Sequence, residues 1–242
     1  GMRGFSRCVW NAEAAAGAEG PAVKFSLTSP DGDQGYPGAV KAEVVYTVTR
    51  DNALRIEYSA TADRPTPVNL THHSYFNLAG AGSGNVLGHT LELAASHYTP
   101  LDAKMIPTGE VAAVAGTPFD FRRPARIGDR MKSYPEVADG YDLSFPLDGA
   151  NGTLRRAATL SESACGRIME VWTTQPAIVL YAGNYLDGTV RGKGNALYGK
   201  HAGICLETAH LPDSVNQPKF PSTILRPGRI YRQTCEYRIG VR

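Results

Sequence analysis

The sequence predicts an all-β protein built as a large antiparallel sandwich. Apolar residues recur with period two in several short runs, and helical periodicity is scarce. Punctuation adds a third argument. Twenty-six Gly and 16 Pro, spread over 242 residues, interrupt the chain too often for long helices. Collagen, coiled coil and helical bundle are therefore excluded.

Taken in order, residues 12–18 are Ala-rich, but Gly17 and Gly20 end the segment before many helical turns are made. Val23, Phe25 and Leu27 alternate with polar neighbours and lead into the turn-rich SPDGDQGYPG (29–38). The clearest local signal is a hairpin over about residues 42–61. Val44, Tyr46 and Val48 alternate with polar residues, Arg50-Asp51-Asn52 supply the turn, and Leu54, Ile56 and Tyr58 resume the alternation. Runs at 87–95, 167–173, 177–181 and 230–239 also read as strands. In the last, Tyr231, Cys235, Tyr237 and Ile239 share one face, while Arg232, Glu236 and Arg238 share the other. A short helix is predicted over 125–132, ahead of Pro135. No repeat, low-complexity tract or linker divides the chain, so residues 1–242 are read as one domain.

Several function classes drop out on composition. Lys and Arg total 25 against 23 Asp and Glu, a net charge of +2, and the basic residues form no tract. A surface that tracks phosphates needs a clustered basic face, so neither nucleic acid nor an anionic membrane is expected. The longest apolar run, residues 177–182, is far short of the roughly 20 residues that span a bilayer. Asn11 and Glu13 interrupt what would be the apolar core of a leader, and Gly1 ahead of Met2 reads as a cloning remnant. The four cysteines (Cys8, Cys165, Cys205, Cys235) lie far apart with no CxxC pair, which fits free thiols in a cytoplasmic protein.

Three segments place ionisable side chains among residues that look buried: 69–80, 139–145 and 203–218. Such groups are costly unless paired or used. His72 and His73 are adjacent, so in extended chain they point to opposite sides. Singly, Glu207 reads more readily as a buried ion-pair partner, and Asp142 as a turn cap, than as working groups. The spacing of His72, His73, Glu207 and His210 matches no usual zinc pattern, and no metal is expected. The GAGSG stretch (80–84) lacks the sixth-position Gly and following helix of a nucleotide loop.

Together, the longer strings are more specific. NLTHHSYFNLAG (69–80), GYDLSF (140–145), TTQPAIVLYAGNYLDG (173–188) and GICLETAHLPDSVNQPKFPSTILRPG (203–228) resemble, in order, the signatures of aldose 1-epimerases, the galactose mutarotases. SPDGDQGYPG and IPTGE (106–110) match as well, so the resemblance runs from about Gly4 to the C-terminus. It implies a β-sandwich with an open sugar cleft and interconversion of α and β aldose anomers, without cofactor or metal. By the same resemblance Glu207 is the base and His73 the acid, while Asp142 and Gln175 bind the monosaccharide. His72 stands where the family usually has Asn, and a supporting bond near the substrate is expected of it. Leu143 stands where the family has His.

The resemblance also implies a departure. In the family, further chain precedes the segment matched by residues 4–10 and contributes early strands, a cleft arginine and a histidine before two glycines. No residue ahead of Gly4 stands in for either, and Arg3 is not assigned the arginine's role. Sheet edges left unpaired in this way predict a homo-oligomer. Two alternatives to the epimerase stay open: a catalytically weak carbohydrate-binding relative with an incomplete cleft, and a glycoside hydrolase using Asp142 and Glu207 as its carboxylates.

Overall fold

A computed structural model describes residues 3–17, 19–133 and 139–242. Its first strands are β1 (Asn11–Gly17), β2 (Gly20–Ser29), β3 (Val40–Val48), β4 (Ala53–Ala62), β5 (Thr66–Pro67), β6 (Thr90–Leu93), β7 (His97–Tyr98) and β8 (Ala112–Ala113). After β9 (Ala125–Arg126) comes the helix α1 (Ile127–Ser133). The remaining strands are β10 (Asp142–Pro146), β11 (Arg155–Ser161), β12 (Arg167–Thr173), β13 (Ala177–Tyr181), β14 (Cys205–Ala209), β15 (Ile224–Leu225) and β16 (Tyr231–Val241).

Nine strands form one antiparallel sheet in the order β1-β2-β3-β4-β16-β12-β11-β6-β9. Three more, β10-β13-β14, form a second antiparallel sheet, and two short ribbons pair β15 with β5 and β7 with β8. The predicted hairpin is present, with β3 and β4 in register from Val40↔Ala62 to Val48↔Leu54. Asn52 takes a φ of 62° in its turn, a left-handed conformation that Asn tolerates better than most residues.

Four expectations need adjustment. The Ala-rich segment is strand, not helix: β1 pairs with β2 along its length, from Asn11↔Ser26 to Gly17↔Gly20. Gly20 makes this possible, because at φ 155° any Cβ would collide with the Val48 carbonyl oxygen. Cross-strand pairing here overrides the helix propensity of alanine. The run at 87–95 is strand only over Thr90–Leu93, and the helix starts two residues later than predicted. In β16, Ile239 is half exposed, whereas Glu236 is buried. Arg55 Nε and Arg238 Nη2 each lie 2.7 Å from a Glu236 oxygen, so the buried charge is paired. Gly1, Met2, Ala18 and Pro135 lie outside the described residues.

The core sits between the two sheets. Alternation along the three-stranded sheet sends Leu143, Phe145, Ile178, Leu180 and Leu206 inward, where they meet Ile56, Leu91, Leu160, Met169 and Val171 of the large sheet. Full burial of each such side chain is worth roughly 1.5–3 kcal/mol. Tyr237 Oη donates across the layers to the Leu206 carbonyl at 3.1 Å. Among the described residues no helix is long and apolar enough to cross a membrane.

Candidate active site

The face of the small sheet turned away from the core carries the ionisable groups. Register sets Asp142, Tyr181 and Cys205 side by side in one row across the three strands. Ser144, Val179 and Glu207 make the next row. Residues two apart on a strand share a face, so Glu207 and Cys205 project together from β14, with Asp142 one row over. Rigid strands on both sides of β13 therefore aim two carboxylates at one region.

His73 reaches that region from an irregular segment running antiparallel beside β14. Its far end is held by Asn69, whose amide donates to the His210 carbonyl at 3.0 Å and accepts from the His210 N–H at 2.9 Å. Thr71 Oγ1 donates to the Thr208 carbonyl at 3.0 Å. At the near end, Phe76 and Ile204 exchange both backbone bonds, at 2.8 and 2.9 Å. Gly203 allows this approach, because a Cβ there would stand 3.0 Å from Tyr75 Cβ. With both ends registered against β14, His73 Nε2 comes 3.5 Å from Glu207 Oε1. Its ring stacks on Tyr75 (centroids 5.3 Å apart) and meets the edge of Tyr181.

The two partners differ in exposure. The His73 side chain is 52% exposed and that of Glu207 only 11%. Burial raises the Glu207 carboxyl above the usual range; the His73 ring pulls it down and the Asp142 charge pushes it further up. Asp142 is also raised, by burial, with His73 opposing. His73 lines an open hollow of about 640 Å³ whose walls include Trp10, Phe25, Tyr46 and Tyr58. Asp142 lines a second hollow of about 420 Å³ beside Tyr98 and Asn184. Glu207 thus neighbours two side chains, His73 and Asp142, that each border open space, and a carboxylate of raised basicity faces an accessible imidazole. Such a pair can take a proton at one atom and deliver one at another.

The structure brings Glu207, His73 and Asp142 together but not the other two predicted site residues. Gln175 is fully buried. Its Nε2 donates to Tyr231 Oη at 2.9 Å and to the Leu70 carbonyl at 3.3 Å, and its Oε1 lies 3.0 Å from His210 Nδ1. The amide is spent holding the segment that carries His73. His72 points away from Glu207, as adjacency requires, between the rings of Tyr46 and Tyr237. Its Nε2 lies 3.3 Å from Ser74 Oγ, its Nδ1 is buried without a partner, and burial lowers its pKa. Leu143 packs into the core on the face opposite Asp142, so a residue there has no direct route to Glu207. Tyr75, Tyr181, Val179 and Cys205 belong to the site and escaped the sequence reading. Only the strand register, applied from Glu207 and Asp142, would have found the last three.

The family model described as "Aldose 1-epimerase" matches residues 3–238. Galactose mutarotase from Homo sapiens is 45% identical over 241 residues, covering 100% of this chain and 68% of that protein. Aldose 1-epimerase from Escherichia coli is 42% identical over 221 residues, covering 89% of this chain and 63% of its own. Among solved structures, an aldose epimerase homologue from C. elegans superposes with a TM-score of 0.89 at 31% identity, covering 100% of this chain and 71% of the other. Galactose 1-epimerase from Lactobacillus acidophilus gives 0.85 at 32% identity, over 99% of this chain and 68% of that one. The chain belongs to the aldose 1-epimerase family.

Proposed function

We propose that this chain interconverts the α and β anomers of an aldose such as glucose or galactose, with Glu207 as base and His73 as acid. The observation that carries the assignment is the 3.5 Å approach of the two side chains beside open space. Glu207 takes the proton of the anomeric hydroxyl while His73 delivers one to the ring oxygen, so the C1–O5 bond opens to an aldehyde. Rotation about the C1–C2 bond presents the other carbonyl face, and reversal of both proton transfers recloses the ring. Charge and atoms balance, because one proton leaves the sugar as another arrives.

The exposed His73 ring is the part that yields as a sugar enters, while Glu207 stays in its row. Asp142 accepts hydrogen bonds from sugar hydroxyls, and Tyr75 and Tyr181 offer ring faces to the C–H surface. Gln175 acts at one remove by bonding Leu70 and Tyr231. His72 packs beneath the segment and sets its direction. The shared core supports treating the chain as one domain, and its four free cysteines fit a reducing cytoplasm. Strand β1 ends the large sheet, and an edge of this kind supports a homo-oligomer.

Polarimetry of freshly dissolved α-D-glucose and α-D-galactose tests the reading. The wild-type chain should accelerate mutarotation, and Glu207→Gln should remove about 10²–10⁴-fold of that rate. Equal rates for wild type, Glu207→Gln and buffer would overturn it.

A further inference from the structure

The same face offers a ligand set that proton transfer does not use. Cys205 and Glu207 project from alternate positions of β14, and His73 closes over both. One ligand atom from each, an imidazole nitrogen, Sγ and a carboxylate oxygen, lie within 4.8 Å of one another. Two nitrogen or oxygen ligands bound to zinc at tetrahedral angles stand about 3.3–3.5 Å apart. His73 Nε2 and Glu207 Oε1 already meet that spacing at 3.5 Å. A thiolate at zinc's longer sulfur distance belongs about 3.6 Å from each. The widest separation does not exceed 4.8 Å, so gathering all three needs a closing of about 1 Å.

We propose that His73, Cys205 and Glu207 form a site for a zinc-class divalent cation, and that an ion held there blocks the sugar. The mixed nitrogen, sulfur and carboxylate donors suit zinc and exclude calcium and magnesium, which take oxygen. Asp142, one row away, adds negative charge that favours a dication. Binding forms a metal–sulfur bond and releases the thiol proton to solvent. His72 and His210 take no part, one being held at Ser74 and the other at Gln175. The inhibitory consequence rests on the epimerase reading, whereas the binding itself does not.

Cobalt titration of tag-free protein tests the site, in a Cys8→Ser, Cys165→Ser background that removes the two more accessible thiols. One equivalent of Co²⁺ should give tetrahedral visible bands and a thiolate charge-transfer band, both abolished by Zn²⁺. Cys205→Ser should lose the charge-transfer band and raise the half-inhibitory Zn²⁺ concentration at least about tenfold. His73→Gln, altered at an exposed ring, should lose the tetrahedral bands while remaining folded. Absence of a thiolate band in the parent, or its survival in Cys205→Ser, would overturn the site. Bands that behave as stated in a protein inactive under chelator would keep the site and refute the epimerase reading instead.

Discussion

Glu207 and His73 are near neighbours that rest on opposite kinds of structure. Glu207 belongs to the middle of β14, paired along β13 and backed by the core residues Leu206 and Ile178. His73 belongs to a segment outside any named strand, tied down at Asn69, Thr71 and Phe76 and half exposed between them. The contrast separates two tasks. A base gains proton affinity from burial, which demands a rigid, dry support. A group that must make room for a sugar needs exposure instead. One half of the pair is tuned by the sheet, and the other is positioned by its anchors.

The largest expected effect sharpens this contrast. Glu207→Gln and His73→Gln should each lower the mutarotation rate by about 10²–10⁴-fold, yet differ in stability. Replacing the buried carboxylate should raise Tm by about 2–4 °C for each kcal/mol relieved, whereas the exposed imidazole should leave Tm nearly unchanged. Calorimetry that finds both variants equally destabilised would break the comparison.

The pH dependence comes next. Because the base must be charged, activity should fall as pH drops through the raised Glu207 pKa, placing the acid limb above the ordinary glutamate range. Asp142→Asn should move that limb to lower pH in a profile of kcat/KM, since one source of the rise is gone. Stability runs in the opposite sense. Folded Glu207 holds its proton more tightly than the unfolded chain does, so its contribution to stability falls as pH rises from the ordinary to the raised value, then levels off. The Tm advantage of Glu207→Gln should therefore open across that interval, and an advantage that shrinks would count against the assignment.

A smaller effect tests the anchors. Gln175→Ala leaves Tyr231 Oη, the Leu70 carbonyl and His210 Nδ1 short of a partner, and should cost about 1–3 kcal/mol in denaturant unfolding. The rate should fall while the acid limb stays in place, because Glu207 keeps its surroundings. A shifted limb would mean that Gln175 acts on the base directly. The smallest effect is expected for His72→Phe. It removes an unpartnered buried nitrogen, keeps the ring between Tyr46 and Tyr237, and should change the rate by less than about tenfold.

The hairpin of β3 and β4 was legible because one face is wet and the other dry, which writes period two into the residues. Strand β14 was not, since all five of its residues are buried and alternation disappears. Strand β1 was hidden in a different way, its alanines matching helix propensity while its pairing to β2 decided the outcome. Glu207, His73 and Asp142 stood out as ionisable groups among buried residues, but their proposed roles came only through resemblance, because nothing local distinguishes a working carboxylate from a buried ion-pair partner. Gln175 shows the limit of that route. An amide that binds sugar and one that holds a loop read identically until their partners are seen.

By itself the sequence determined the strand-rich class, the turns and the family, since these depend on local periodicity and on strings of residues. Which side chains meet was decided only by tertiary structure. Register across β10, β13 and β14 fixes who stands beside Glu207, and pairing of residues 69–76 against β14 brings His73 within 3.5 Å of it. Distance and dielectric arise between segments remote in the chain, and no single segment carries them.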